Sequence, residues 1–184
     1  VKTLLPPEDL SRIFDYEPTP APATPPPVPA VQVDSLASPE PVFLTEAYTD
    51  GGCRGNPGKA GYGVVVYHRG QTVTLKGVLP GLATNNEAEY AGLLACLRWA
   101  LQVKASPLLV HMDSELVVRQ MQGRYGVGPK LRPLYLNACD LVLRIGQVTF
   151  QHVMRERNGY ADRLANEAMD QAGFPREQRV WRRR

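Results

Sequence analysis

The sequence predicts an α/β fold, a five-stranded mixed sheet flanked by helices in the order βββαβααβα. Three short runs rich in β-branched and aromatic residues follow one another between residues 42 and 79, with turn residues between them. Beyond them, strand-like and helix-like stretches alternate, which places helices against a sheet. The third observation sets the limits of the fold. Eleven of the seventeen prolines lie within residues 1–42, and proline lacks the N–H that a helix or central strand needs.

The first strand is "VFLTEAYTD", predicted to end at Asp50, with the glycine-rich stretch after it reading as a loop. "GYGVVVYHRG" and "QTVTLKGVL" form the next two strands, joined by a hairpin turn at His68-Arg69-Gly70-Gln71. In "TNNEAEYAGLLACLRWALQVKA", Tyr90, Leu94, Leu97 and Leu101 make the apolar stripe of an amphipathic helix. Thr84 and Glu87 have the spacing of a capping box at its start. "PLLVHMD" is a short buried strand ending at Asp113, and "SELVVRQMQGR" is a helix opened by Ser114. "LRPLYLNACDLVLRIG" is a further helix and "VTFQHVM" the fifth strand. "GYADRLANEAMDQAG" is the last helix, ending near Gly173.

Residues 1–42 precede this as a separate, proline-rich segment. "PTPAPATPPPVPAVQ" is expected to be extended polyproline II or disordered, with an unknown partner as one possible use. "PEDLSRIFDY" offers a short helical turn before it. Residues 43–173 form the folded domain and residues 174–184 a basic tail. Residues 1–44 carry two basic and six acidic groups, and the rest 19 basic and 12 acidic. Five arginines crowd the last nine residues. A basic body of this kind suits a polyanionic partner.

No apolar run is long enough to span a bilayer, so no membrane partner is expected. "VKTLLPPEDL" turns polar and proline-rich too soon for a signal peptide. Cys53, Cys96 and Cys139 are too widely spaced for a zinc site and suit reduced thiols. These features predict a cytoplasmic protein, and nothing predicts more than a monomer.

Four acids occupy suggestive places. Asp50 and Asp113 each end a strand, and if those strands are parallel neighbours both carboxylates emerge at the carboxyl edge of the sheet, where sites form. Glu89 lies a turn beyond the cap of the first helix, and Asp162 opens the last one, where helix termini favour anions. Four converging carboxylates repel one another unless cations neutralise them. Hard oxygen ligands with open positions select Mg²⁺ or Mn²⁺. Two such ions about 4 Å apart serve phosphodiester hydrolysis.

"TDGGCRGNPGKAGYG", "TNNEAEYAGL", "HMDSELVV" and "NGYADRLANEA" together resemble, in order, the four signature blocks of type 1 ribonuclease H. The resemblance covers roughly residues 43–173 and implies the ribonuclease H-like fold. It implies an endoribonuclease, a metal-dependent hydrolase that cuts the RNA strand of RNA/DNA hybrids and leaves 3′-hydroxyl and 5′-phosphate ends. It also implies two Mg²⁺ or Mn²⁺ ions with substrate bound. By the same resemblance Asp50, Glu89, Asp113 and Asp162 are the metal-binding catalytic acids, with Asp50 bridging the ions and the glycines after it clearing room for metal and phosphate. Cys53, Arg54 and Asn56 in the following loop, and Asn85 and Asn86, would contact the hybrid.

Three departures from the family pattern stand out. Glu115 replaces a common substrate-contacting Gln. The segment "GRYGVGPKLRP" replaces a long basic protrusion and offers only Arg124, Lys130 and Arg132. The loop "MRERNGYAD" lacks the mobile His of many members. His152 lies before it in a strand and reads as structural. Arg155 could orient phosphate or product there, and Asn158 matches a family Asn. The alternatives are a DNA-cutting nuclease of the same superfamily and a non-catalytic hybrid-binding module.

Overall fold

In the computed structural model, residues 45–174 are described. The expectations for residues 1–42, the start of the first strand at 42–44 and the arginine tail lie outside them. Five strands form one sheet: β1 (Thr45–Gly55), β2 (Gly58–His68), β3 (Gln71–Val78), β4 (Leu108–Met112) and β5 (Val148–His152). The helices are α1 (Asn85–Val103), α2 (Glu115–Met121), α3 (Arg132–Ile145) and α4 (Gly159–Gln171), with a single 3-10 turn at Arg155–Arg157. The order is the one expected. The strands lie β3-β2-β1-β4-β5. β1, β2 and β3 are antiparallel, whereas β4 runs parallel to both β1 and β5.

Alternation along the strands sends successive side chains to opposite faces. Ala47, Val64, Val66, Leu75, Val110 and Met112 are buried on one face beneath α1. α3 covers α1 from outside, and α2 packs near β5. α4 lies alone on the other face, against β1, β2 and β3. Arg54–Asp170 (2.7 Å) and Lys76–Glu167 (3.1 Å) fasten it there.

The hairpin turn forms as expected. His68 pairs with Gln71, and Arg69 and Gly70 both take positive φ, as a tight two-residue turn requires. Thr84 caps α1 with the full capping box, its Oγ1 accepting from the Glu87 N–H while the Glu87 carboxylate accepts from the Thr84 N–H.

Three expectations need correction. Asp50 does not end β1, which continues through the glycines to Gly55, because β2 pairs with it over its whole length. Only the ladder to β4 stops there, at Thr49 opposite Met112. α1 is not amphipathic in place. Almost all of its residues from Ala88 to Ala100 are buried, Arg98 excepted, because the sheet lies on one side and α3 on the other. Ser114 occupies the N-cap position of α2, but its side chain makes no capping bond.

Candidate active site

The parallel pairing of β1 with β4 continues the register past its last rung, from Thr49–Met112 to Asp50 and Asp113. Both carboxylates thus leave the same edge of the sheet. Glu89 reaches them from α1 because that helix touches β1 at backbone distance. A Cβ on Gly51 would stand 2.1 Å from the Ala88 carbonyl carbon and 2.3 Å from the Glu89 nitrogen. Glycine alone permits that approach, and it brings the Gly51 N–H close enough to the Glu89 carboxyl to favour its charged form. The glycine therefore makes room for a helix, where the sequence had suggested room for metal and phosphate. On the opposite face, a Cβ on Gly63, the cross-strand partner of Asp50, would stand 2.3 Å from the Ala161 carbonyl oxygen. This seats the start of α4, and with it Asp162.

Asp50, Glu89 and Asp113 each present an oxygen, and these oxygens lie within 4.8 Å of one another. Asp50 and Glu89 are buried, and Asp113 is half-buried. Among the described residues, no Lys or Arg forms an ion pair with any of the three. Burial first, then the charges of Asp113 and Asp162, push the Asp50 carboxyl up to about 8. Burial, then Asp50 and Asp113, hold Glu89 well above the usual carboxylate range. Its Oε2 is buried without a hydrogen-bond partner. A buried, unpartnered carboxylate oxygen beside two like charges is costly unless a cation occupies the space between them. Three hard oxygen donors with one oxygen unclaimed fit Mg²⁺ or Mn²⁺.

Asp162 stands outside that close group. Its Oδ1 accepts from Arg155 Nη2 at 3.1 Å, and its other oxygen accepts from Asn166 at 3.2 Å. Asn158 is almost fully buried, and its amide donates both to the Thr49 carbonyl (2.9 Å) and to Asp113 Oδ1 (2.8 Å). It ties the end of the β1–β4 ladder and one acid to the start of α4. The sequence marked Asn158 by resemblance alone, because a contact spanning 109 residues leaves no local signal.

The remaining candidates surround this edge. Asn85 and Asn86 are exposed at the start of α1. Asn56 accepts from the Asn85 N–H through Oδ1 (3.2 Å), which joins the β1–β2 turn to that helix. Cys53 is half-buried within β1, so the turn proper is Asn56–Pro57. Arg54 is mostly buried and engaged by Asp170. His152 is exposed at the end of β5 and does not serve the core as its place in a strand had suggested.

This strand order, with carboxylates gathered where the β1–β4 ladder ends, defines a ribonuclease H-like protein. The comparisons narrow it. Residues 48–168 match the family model described as reverse transcriptase-like. The bifunctional protein Rv2228c of Mycobacterium tuberculosis is 50% identical over 127 residues, a match covering 67% of this chain and 35% of that protein. The chain thus spans about a third of the length of that relative. Ribonuclease HI of Halobacterium salinarum is 37% identical over 142 residues, covering 76% of this chain and 71% of the relative. A solved structure of LC11-RNase H1 in complex with RNA/DNA hybrid superposes with a TM-score of 0.66 at 40% identity, covering 70% of this chain and 98% of that one. The chain belongs to the type 1 ribonuclease H family.

Proposed function

We propose that the protein hydrolyses the RNA strand of RNA/DNA hybrids, with two divalent ions held by Asp50, Glu89, Asp113 and Asp162. The observation that carries this is the close triad of buried Asp50 and Glu89 with half-buried Asp113, and its unpartnered Glu89 oxygen. When bound, Mg²⁺ or Mn²⁺ would supply activation of a water and stabilisation of the leaving oxygen, giving 3′-hydroxyl and 5′-phosphate ends. Asp50, which feels the charges of Asp113 and Asp162 and acts in turn on Glu89, would be a principal ligand of the ions. Asn158 would hold Asp113 in place beside Asp50, and Arg155 pairs with Asp162 at the rim. The exposed Arg155 guanidinium could also hold a phosphate or product oxygen, though it cannot act as a base at neutral pH.

The exposed amides of Asn85 and Asn86, with Asn56 beside them, would sense the 2′-hydroxyls in the minor groove of the hybrid. The Cys53–Arg54 stretch would line the approach. We assign the activity to residues 43–173, in a monomer. The free thiols of Cys53, Cys96 and Cys139 suit a reducing, cytoplasmic setting. Among the described residues, no helix is long and apolar enough to cross a membrane.

The test is cleavage of a labelled RNA strand annealed to DNA, with Mg²⁺, Mn²⁺ or EDTA, beside duplex RNA and duplex DNA. Metal-dependent cutting of the hybrid alone, lost in Asp50→Asn, is the expected result. Cutting of duplex DNA would move the protein to another branch of the superfamily. Hybrid binding without cutting would leave a binding module.

A further inference from the structure

The α4 face of the sheet is only partly covered. Between the sheet and the start of α4 runs an open groove of about 200 Å³, lined by Tyr48, Val65, Tyr67, Arg157, Asn158 and Tyr160 together with Ala161. Tyr67 and Tyr160 are both exposed, at 44% and 38%. Tyr48 meets Tyr67 edge-on at 6.1 Å and stacks on the buried His111 at 4.4 Å, which holds its ring upright on the sheet. Arg163 lies over the Tyr160 ring at 4.5 Å. The walls are therefore largely aromatic, and the one charged side chain in the lining is Arg157. Grooves walled by tyrosines suit proline-rich segments, whose left-handed extended form is already set by the proline rings and loses little entropy on binding.

This chain carries such a segment in its sequence. Residues 18–30, "PTPAPATPPPVPA", place Pro20, Pro26 and Pro29 at multiples of three, on one edge of a three-residue-per-turn helix. The chain outside the described residues joins the fold at Thr45, and Glu46 pairs with Tyr67 at the near end of the groove. The 14 residues between Ala30 and Thr45 reach ~45 Å when extended, well beyond the ~13 Å that about four residues of β1 span. Residues 18–30 carry no charge, and the acids that flank them, Asp15, Glu17 and Asp34, are opposite in sign to Arg157, the one charged side chain lining the groove. The geometry points to an intramolecular docking site: the proline-rich segment of residues 18–30 lies in the Tyr48–Tyr67–Tyr160 groove of its own chain. Asn158 lines that groove and also holds Asp113, so the segment would sit against the back of the acidic site.

The experiment replaces Tyr67 by the photo-crosslinker p-benzoylphenylalanine in the full 184-residue chain and irradiates it at low concentration. Fragmentation of the cross-linked tryptic peptides locates the attachment. The expected product is an intramolecular link to residues 18–30, falling about tenfold when Tyr160→Ala is added or when Pro20, Pro26 and Pro29 are changed to Ser. Absence of links to residues 18–30 overturns the inference. So do links formed only between two copies, or a yield that neither variant lowers. The readout needs neither metal nor hybrid, so its failure is separate from any failure of the proposed activity.

Discussion

Asp50 makes the metal-free protein sensitive to pH. Its carboxyl ordinarily releases its proton near 3.8 and is held to about 8 in the fold. Between those values the folded chain keeps a proton that the unfolded chain has released, so stability falls as pH rises from about 4 to about 8. Glu89 acts with the same sign. In EDTA, the melting temperature should decline across that window, and Asp50→Asn should flatten the decline and raise the melting temperature at pH 8. Added Mg²⁺ should raise the wild-type value more at pH 8 than at pH 6. A wild-type melting temperature that climbs with pH in EDTA would contradict the burial of these acids. Asn158→Ala removes two buried hydrogen bonds and releases Asp113. It should cost about 1–3 kcal/mol in urea unfolding and lower hybrid cleavage by more than the loss of folded protein explains.

Among the elements, the contact of β1 with α1 is the most demanding. Gly51→Ala puts a methyl into helix backbone and should destabilise by at least about 2 kcal/mol. Gly52→Ala meets only the Met169 side chain at 3.8 Å, so it should shift the urea midpoint little. The contrast between these neighbours shows what sequence reading can and cannot reach. Local chemistry was legible: the Arg69-Gly70 turn and the Thr84–Glu87 capping box are each settled within a few adjacent residues. The length of β1 was not, because "GGCRG" has the composition of a loop and is held extended only by its partner β2. Nor could the stripe Tyr90, Leu94, Leu97 and Leu101 reveal that α1 is enclosed on nearly every side, since α3 comes much later in the chain. The gathering of Asp50, Glu89 and Asp113 was legible because the two aspartates follow the paired runs of neighbouring parallel strands and the glutamate lies early in the helix beside them. That Asp162 pairs with Arg155 while the other three cluster is a matter of side-chain placement.

For the whole molecule, the exposed charges decide what the proposed binding of a hybrid should look like. Arg124, Lys130 and Arg132 are exposed between α2 and α3, whereas Arg54 is spent on Asp170. Changing the three exposed residues to Gln should weaken hybrid binding and flatten the plot of log affinity against log salt. The slope should change by roughly 0.9 for each phosphate left without its cation, up to about 3 in total. An unchanged slope would move the phosphate contacts elsewhere on the chain. The bond from Asn158 to Thr49 has a consequence for how the protein is born. Its two ends lie 109 residues apart, and the donor stands at the N-cap position of the last helix. A ribosome that has made β1, α1 and β4 has made Asp50, Glu89 and Asp113, but not the amide that aims Asp113, nor Asp162. A growing chain therefore holds three of the four acids before the amide and the fourth acid exist, and on the proposed activity the final turns of the fold are what complete the site.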